Sequence, residues 1–274
     1  MSEAYAARRD RRRTPDPSPA GRFIAILAVG FSSVVVVYVL SVTVVLPRLQ
    51  ITRVVVQADF EMDRDQLLEM AGLRENAYFF NIDTAEITDR LESFPPIRRA
   101  TVSREFPDTV VLGMDRRRPL LLALIQSDKN TTPILIDETG TIFQVGAGAT
   151  RHDVPVLSGV SFQGRVVGST LPTSMAALLE SVYALRVNAP ELFGVISEIH
   201  IEAHRAGDFD VLLYFQGFEA PVRVDSTVDR ETCTYALMVL DVLQQQEDAQ
   251  SIRELDFRSG EIVYRMKEAQ DADQ

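Results

Sequence analysis

The sequence has a single cysteine, three histidines and no tryptophan in 274 residues. Cys233 is the single cysteine, and one cysteine cannot form an intramolecular disulfide. The sequence therefore excludes a scaffold held together by disulfides and a cysteine-based zinc cluster. Basic residues are the minority, 28 against 39 acidic ones, and the net charge of −11 argues against general nucleic-acid binding. The nucleophile, metal-hydrolase and nucleotide-binding motifs G-x-S-x-G, H-E-x-x-H, S-x-x-K, Walker A and G-x-G-x-x-G are also missing. We therefore expect no enzyme activity, no cofactor, no metal and no small-molecule substrate.

The chain does have one long uncharged run, residues 23–46, which reads FIAILAVGFSSVVVVYVLSVTVVL. A helix of this length, rising about 1.5 Å per residue, spans a bilayer core of about 30 Å. The alternative is a cleaved signal peptide, whose apolar part is about 7–15 residues and precedes a small-x-small site. This run is longer and ends in Leu46-Pro47-Arg48. The run thus predicts one retained transmembrane helix.

Charge around this helix predicts its orientation. Residues 1–22 carry six arginines against three acids, whereas Arg48 and Arg53 follow the helix. Positive flanks remain cytoplasmic, so we expect an inner-membrane protein with a cytoplasmic N-terminus and most of the chain outside the cytoplasm. The tail 1–22 is too polar to fold alone, and residues 267–274 are expected to fray. The arginines also fit nucleic-acid binding, but a topology signal explains them more simply.

The segment 47–118 has the pattern of a β-α-α-β-β module. Asp63 precedes a short helix that Gly72 ends, and Asp83 is placed to cap a second helix with Ile87, Leu91 and Phe94 on one face. The predicted strands are 51–58, 97–106 and 109–115, and the predicted helices are 63–71 and the segment after Asp83.

The segment 119–266 predicts a mixed β-sheet domain with two helices. The predicted strands are 120–126, 195–203, 209–215 and 221–225, with hairpins over 133–143 and 255–266. The predicted helices are 174–187 and 228–246. The fold class is therefore α+β, built from a single N-terminal transmembrane helix, the β-α-α-β-β module and this sheet domain.

Three groups of residues are candidates for chemistry or binding. His200, Glu202 and His204 would share one face of a strand and could ligate a metal, but their alternation with isoleucines favours a solvent-facing strand. Cys233 lies on the apolar face of a helix, which favours a core position over a nucleophile. Arg116–Arg118 form a basic tract in an acidic domain, either a solvated turn or a surface for an acidic partner or lipid.

Several short motifs, in one order, resemble the FtsQ/DivIB family of bacterial division proteins, and residues 22–266 carry the resemblance. They are Val54–Val56, AYFFNID at 77–83, PIRRATVSREFPDTV at 96–110, DRRRP at 115–119, ILIDETGTIF at 134–143 and VPVLSG at 154–159. The family's usual glycine after the first strand is absent near Ala58, Asp115 replaces its glutamate, and no tryptophan occurs in the final strand.

The resemblance implies a POTRA domain at 47–118 and a β domain at 119–266. It implies a non-enzymatic divisome scaffold at the septum that recruits FtsB- and FtsL-like single-pass proteins, and with them the septal peptidoglycan synthase complex and an FtsK-like protein. Two other functions are alternatives: a membrane-tethered periplasmic cell-wall enzyme, and a POTRA-type chaperone of outer-membrane assembly. The first needs a nucleophile or metal set, and the second usually has several tandem modules.

The last hairpin is the expected docking site. Residues 261–266 read as a sheet edge whose backbone can pair with a partner strand, although Ile262, Tyr264 and Met266 also fit a core-facing row. The resemblance places FtsB docking here. The predicted partner-binding residues are Phe257, Arg258, Gly260, Glu261, Ile262, Val263, Tyr264 and Met266, with Arg116, Arg117 and Arg118 as a second contact. Val263→Pro, which removes a ladder donor, is the expected sharpest probe.

Overall fold

A computed structural model describes residues 19–45, 48–60, 63–73, 77–127, 130–162, 167–204, 208–246, 251–259 and 262–266. Of the tail predicted over 1–22, residues 1–18 lie outside the described part, as do 267–274, whereas residues 19–22 are helical, so the helix begins before the predicted residue 23. The described residues fall into two compact units. The first unit contains the described residues of Met1–Val55, Arg74–Ile82 and Arg104–Val110. The second unit contains the described residues of Val56–Leu73, Asp83–Ser103 and Val111–Gln274. The predicted boundary between 118 and 119 stays a prediction.

The N-terminal apolar run is helical. Helix α1 spans Pro19–Leu40 and continues as a π-helical turn over Ser41–Val45. The hydroxyl groups of Ser33, Ser41 and Thr43 donate hydrogen bonds to carbonyl oxygens one turn earlier. These polar groups are therefore satisfied within the helix. Ile26–Val44 is long and apolar enough to cross a membrane, and none of it is buried in the protein.

A three-stranded sheet in the order β1-β3-β2 follows. Its strands are β1 Arg53–Ala58, β2 Ile97–Glu105 and β3 Thr109–Arg116. Helices α2 (Arg64–Ala71) and α3 (Thr84–Glu92) lie between β1 and β2 in the chain and pack on each other. The predicted β-α-α-β-β order is thus confirmed.

The predicted caps of α2 and α3 are present. Asp63 accepts a hydrogen bond from the Gln66 amide, and Gly72 ends α2 with a left-handed φ of 64°. Asp83 accepts from the amides of Ala85 and Glu86. The predicted apolar face needs one correction, because α3 ends before Phe94, which is 37% exposed. Pro95 and Pro96 follow directly and exclude a further turn.

The second sheet has nine strands in the order β12-β11-β10-β9-β8-β7-β4-β5-β6. Its strands are β4 Leu121–Ser127, β5 Asn130–Ile136, β6 Ile142–Val145, β7 Val156–Ser158, β8 Ile196–Ala203, β9 Phe209–Phe215, β10 Val222–Val224, β11 Ile252–Asp256 and β12 Val263–Met266. Strand β7 pairs in parallel with β4 and β8, β10 pairs in parallel with β11, and the remaining neighbours are antiparallel. The prediction of an α+β chain with a mixed sheet is therefore confirmed.

Three helices accompany this sheet: α4 Ala176–Asn188, α5 Pro190–Val195 and α6 Arg230–Gln244. Buried residues of α4 and α6, such as Leu178, Val182 and Leu240, share one core with the sheet strands. Helix α5, strand β7 and a 3-10 helix over Ala147–Arg151 are additional elements that the sequence patterns did not predict.

Candidate functional site

The hairpin β11–β12 lies at one end of the nine-stranded sheet. Val263, Tyr264 and Arg265 stand opposite Asp256, Leu255 and Glu254, and the ladder becomes irregular between Ile252 and Glu254. In the described part of the chain no strand lies beyond β12. The structure thus places the predicted edge at this strand.

The register shows which backbone groups of β12 are free. The amides of Leu255 and Phe257 donate to carbonyls of β10 residues or their neighbours, at 3.0 and 2.9 Å. Successive residues of a strand direct their N–H and C=O groups to opposite sides, so Asp256 and Glu254 point to β12. Their partners Val263 and Arg265 therefore point back to β11. Tyr264, between these two, directs its N–H and C=O to the open edge.

Side chains on β12 are largely exposed, by 50% for Val263, 60% for Tyr264 and 48% for Met266. The alternative that Tyr264 and Met266 form core is therefore wrong. Ile262 differs, since it is half-buried and packs on the large core. Gly260 and Glu261, two of the predicted binding residues, lie outside the described part of the hairpin.

An open groove of about 770 Å³ lies between the outer face of α6 and this hairpin. Tyr235 and Met238 of α6 are 51% and 62% exposed and give it an apolar wall. Phe257 packs edge-to-face on Tyr235, with ring centroids 5.7 Å apart, and Ile262 also lines the groove. The edge of the sheet thus has an apolar surface beside it that can receive side chains from a partner.

The sheet face opposite the helices carries a lattice of ion pairs centred on Arg223 of β10. Its guanidinium, 8% exposed, contacts Glu202, Asp210 at 3.0 Å and Glu254 at 3.0 Å. Two further arginines join the same carboxylates to the hairpin. Arg258 lies 2.7 Å from Asp210 and 2.6 Å from Asp256, and Arg265 lies 3.0 Å from Glu254.

The pKa directions follow from these contacts. The hydrogen bond from Arg223 lowers the pKa of Glu202, and that from Arg258 lowers the pKa of Asp256. Burial by itself would lower the pKa of Arg223, but its three carboxylate partners outweigh burial and raise it. All these groups are held in their charged forms, so the lattice fixes the hairpin by charge as well as by backbone bonds.

The three residues that the sequence offers as metal ligands contact other side chains in the structure. Glu202 is taken by Arg223, and Nε2 of His204 lies 3.3 Å from Asp210. Nδ1 of His200 lies 2.7 Å from the Ser158 hydroxyl. Among the residues described, no three His, Cys, Asp or Glu side chains are grouped to hold a metal.

The basic tract divides into two parts. Arg117 points inward, where Nε donates to the Pro95 carbonyl at 2.8 Å and Nη1 contacts Asp137 at 2.5 Å. The prediction that Arg117 contacts a partner at the surface is therefore corrected, because the buried carboxylate of Asp137 holds its side chain. Arg116 and Arg118 are exposed and line a separate groove of about 290 Å³, which shares no lining residue with the one beside the hairpin.

Sequence reasoning missed Arg223 and Glu254, the two buried members of the lattice. Alternation in Val222-Arg223-Val224 places the arginine on the sheet face opposite the two valines, and nothing in this pattern indicates that Arg223 is buried. The partner could not be identified, since Glu254 follows 31 residues later.

Comparison with known proteins gives one domain match and several relatives. A family model described as "POTRA domain, FtsQ-type" matches residues 49–113. The chain is 28% identical over 120 residues to "Cell division protein FtsQ" of Syntrophotalea carbinolica, covering 44% of this chain and 41% of that protein. It is 29% identical over 170 residues to "Cell division protein FtsQ" of Rhodothermus marinus, covering 62% and 58%.

A third relative carries the other name. "Cell division protein DivIB" of Geobacillus kaustophilus is 22% identical over 176 residues, covering 64% of this chain and 62% of that protein. The chain thus spans less than two thirds of the length of these three relatives.

Proposed function

We propose that this chain, a member of the FtsQ/DivIB family of bacterial cell division proteins, is a non-enzymatic scaffold of the division machinery. It holds FtsB- and FtsL-like membrane proteins and, through them, links to the septal peptidoglycan synthase complex, and an FtsK-like protein is a further partner. The matching family model and the relatives confirm the resemblance to this family that the sequence motifs indicate. The partners and the scaffold role are our proposal.

The observation that carries this proposal is the open edge at Tyr264. A partner segment in extended conformation can pair with the free N–H and C=O of Tyr264 and so add a tenth strand to the sheet. Main-chain pairing of this kind supplies affinity that depends little on the side chains of β12. Strand β12 suits this mode of binding, because its side chains are mostly exposed.

Side chains of the added strand would provide selectivity. Those on the helix face would reach the groove lined by Tyr235, Met238 and Phe257, so we expect an apolar or aromatic residue there. Those on the opposite face would lie beside Val263 and Arg265, and Arg265 favours an acidic residue. The proposed partner segment thus alternates apolar and polar or acidic residues.

Arg116 and Arg118 are proposed as a second contact, toward an acidic partner. Because the buried carboxylate of Asp137 holds Arg117, the two exposed arginines of the tract suit this role. Changing both to glutamate is expected to impair recruitment of a partner while the thermal transition stays unchanged. Normal localisation of every partner in this double variant would reject the contact.

The membrane arrangement belongs to the same proposal. Helix α1 anchors the chain in the inner membrane at the septum, with the N-terminal arginines in the cytoplasm and the two sheets outside it. A reporter that is active only outside the cytoplasm, fused after residue 274, is expected to be active. Activity of a cytoplasmic reporter at the same position would overturn this topology.

The decisive experiment is partner capture by single-residue variants of the full chain. Tyr264→Pro removes the free amide and should abolish co-purification of the FtsB/FtsL-like pair from membranes. Tyr264→Ala keeps the amide and is the matched control, expected to retain most of the capture. Val263→Pro is a poorer probe than expected, because the Val263 amide faces β11 and its loss disturbs the hairpin itself. Full capture by Tyr264→Pro, with an unchanged thermal transition, would contradict the proposal.

A further inference from the structure

The first compact unit carries an exposed aromatic patch. Phe80 and Phe106 are 69% and 74% exposed, and both rings pack edge-to-face on Phe79, at centroid distances of 5.4 and 5.9 Å. The Arg104 guanidinium lies 5.5 Å from the centre of the Phe79 ring. Three aromatic rings and one cation thus form a continuous surface, which we call the aromatic patch.

This patch is tied by its backbone to the residues that follow helix α1. The Phe79 amide donates to the Leu49 carbonyl at 2.8 Å, and the Ile51 amide donates to Ala77 at 2.9 Å. Gln50 and Tyr78 form an antiparallel bridge between these bonds. The patch is therefore fixed to Leu49–Ile51 by regular pairing.

The pairing limits how far the patch can lie from the end of the anchor. Leu49 is four residues after Val45, the last residue of the π-helical turn, so the chain between them spans at most about 14 Å. The headgroup zone on each side of a bilayer core is about 5–8 Å thick. The aromatic patch thus lies at the level of the headgroups or just beyond them.

The composition of the patch suits that level. Phenylalanine side chains bury their rings at the boundary of headgroups and acyl chains in segments that bind membrane surfaces, and arginines beside them can pair with lipid phosphates. Arg48 and Arg53 are exposed on the same short segment. Of the acids nearby, Asp108 is occupied by a hydrogen bond from Thr52, which lowers its pKa, and Glu105 is exposed.

We propose that Phe80 and Phe106 insert into the headgroup zone of the leaflet in which α1 ends, so that the aromatic patch is a second membrane contact. Arg104 cannot leave the surface freely, because it also donates to the carbonyls of Phe79 and Ile82 at 3.2 and 3.3 Å. It therefore holds a positive charge beside the inserted rings. This inference rests on the proposed membrane anchor, and its partner is the lipid surface itself.

Because the chain has no tryptophan, each tryptophan introduced is a single fluorescent reporter. The full-length chain is reconstituted into vesicles of phosphatidylethanolamine and phosphatidylglycerol, with and without brominated acyl chains. Phe80→Trp and Phe106→Trp are expected to lose at least about half of their emission to the bromines. Tyr38→Trp, inside α1, is the positive control, and N-acetyltryptophanamide dissolved in the aqueous phase with the unmodified chain is the control for which no quenching is expected.

The outcomes separate the two proposals. If Tyr38→Trp is not quenched, the anchor fails and the patch with it. If Tyr38→Trp is quenched but positions 80 and 106 behave like the dissolved N-acetyltryptophanamide, the anchor stands and the membrane contact is overturned. Shielding of these positions from aqueous acrylamide without bromine quenching would assign the patch to a protein and also overturn it. Tyr78→Trp replaces either variant if its thermal transition is lost.

Discussion

The guanidinium of Arg117 lies 2.5 Å from the carboxylate of Asp137, a side chain with no exposed surface. This pair joins the basic tract after β3 to the turn between β5 and β6. The turn is closed around the same carboxylate, which also accepts from the Thr139 amide at 3.0 Å and the Thr141 amide at 2.8 Å. Two motifs that are separate in the sequence thus form one buried polar site.

Arg117→Ala is expected to destabilise the protein by about 3 kcal/mol, because a buried carboxylate loses its cation. The loss is at the lower end for a broken buried pair, since the turn donors to Asp137 remain. Urea unfolding of the full chain in detergent measures it. Arg118→Ala, at an exposed neighbour, is the control and should stay within about 0.5 kcal/mol of the unmodified chain. Equal unfolding midpoints for the two variants would contradict the structural role of Arg117.

Gly159→Ala should cost at least about 2 kcal/mol. Gly159 has a φ of 78°, and a Cβ there would lie 2.0 Å from the Ile201 carbonyl oxygen of β8, which cannot move without breaking the sheet. Gly194→Ala is the matched control, because nothing lies within 4 Å of its Cβ position in α5. Thermal unfolding compares them, and similar stabilities would refute the backbone approach at Gly159.

Acid should destabilise the fold. The pKa values of Glu202 and Asp256 are lower in the folded chain than in the unfolded chain, so the unfolded chain binds more protons as the pH falls. The stabilisation is complete above the unfolded pKa and disappears as the pH falls through the folded pKa. We expect Asp256→Asn to show a shallower loss of unfolding free energy between about pH 5 and about pH 3. Asp153→Asn, in an exposed loop, serves as the control, and an identical slope in both variants would be the negative result.

The Cys233 thiol should be unreactive in the folded chain. Burial, with a smaller effect of Asp229, raises its pKa to about 12, so little thiolate forms near neutral pH. Labelling with Ellman's reagent should therefore accelerate on the order of 100-fold or more when urea unfolds the protein. Fast labelling of the native chain would show that the core around α6 is open.

Features set by neighbours in the sequence were predictable. Asp63, Gly72 and Asp83 act within a few residues, and the structure has each cap where it was expected. Strand β7 was not predictable, because three residues give no periodic signal and its parallel pairing with β4 and β8 holds it in place.

The site was predictable only in part. The final hairpin could be recognised from its alternating residues and its turn. Which of Val263 and Tyr264 faces the open edge depends on the side on which β11 lies, and that follows from its pairing with β10. The lattice around Arg223 likewise joins strands that are distant in the chain. Which arginine pairs with which carboxylate could therefore not be predicted from the sequence.

Dissolved salt acts on strand β12 more than on the apolar core of this sheet. Strand β12 has little buried apolar surface and is fastened by its ladder with β11 and by Arg265 between Glu254 and Asp256. Mobile ions weaken exposed charge pairs, and the Debye length shrinks from about 10 Å at 0.1 M to about 3 Å at 1 M. Apolar packing under α4 and α6 is not screened in this way, and the ion pairs of Arg223 with Asp210 and Glu254 on the other face are largely buried and therefore screened less. Raising the ionic strength of the medium should therefore loosen β12 before it affects the core strands, and the partner capture that we propose at this strand should weaken with it.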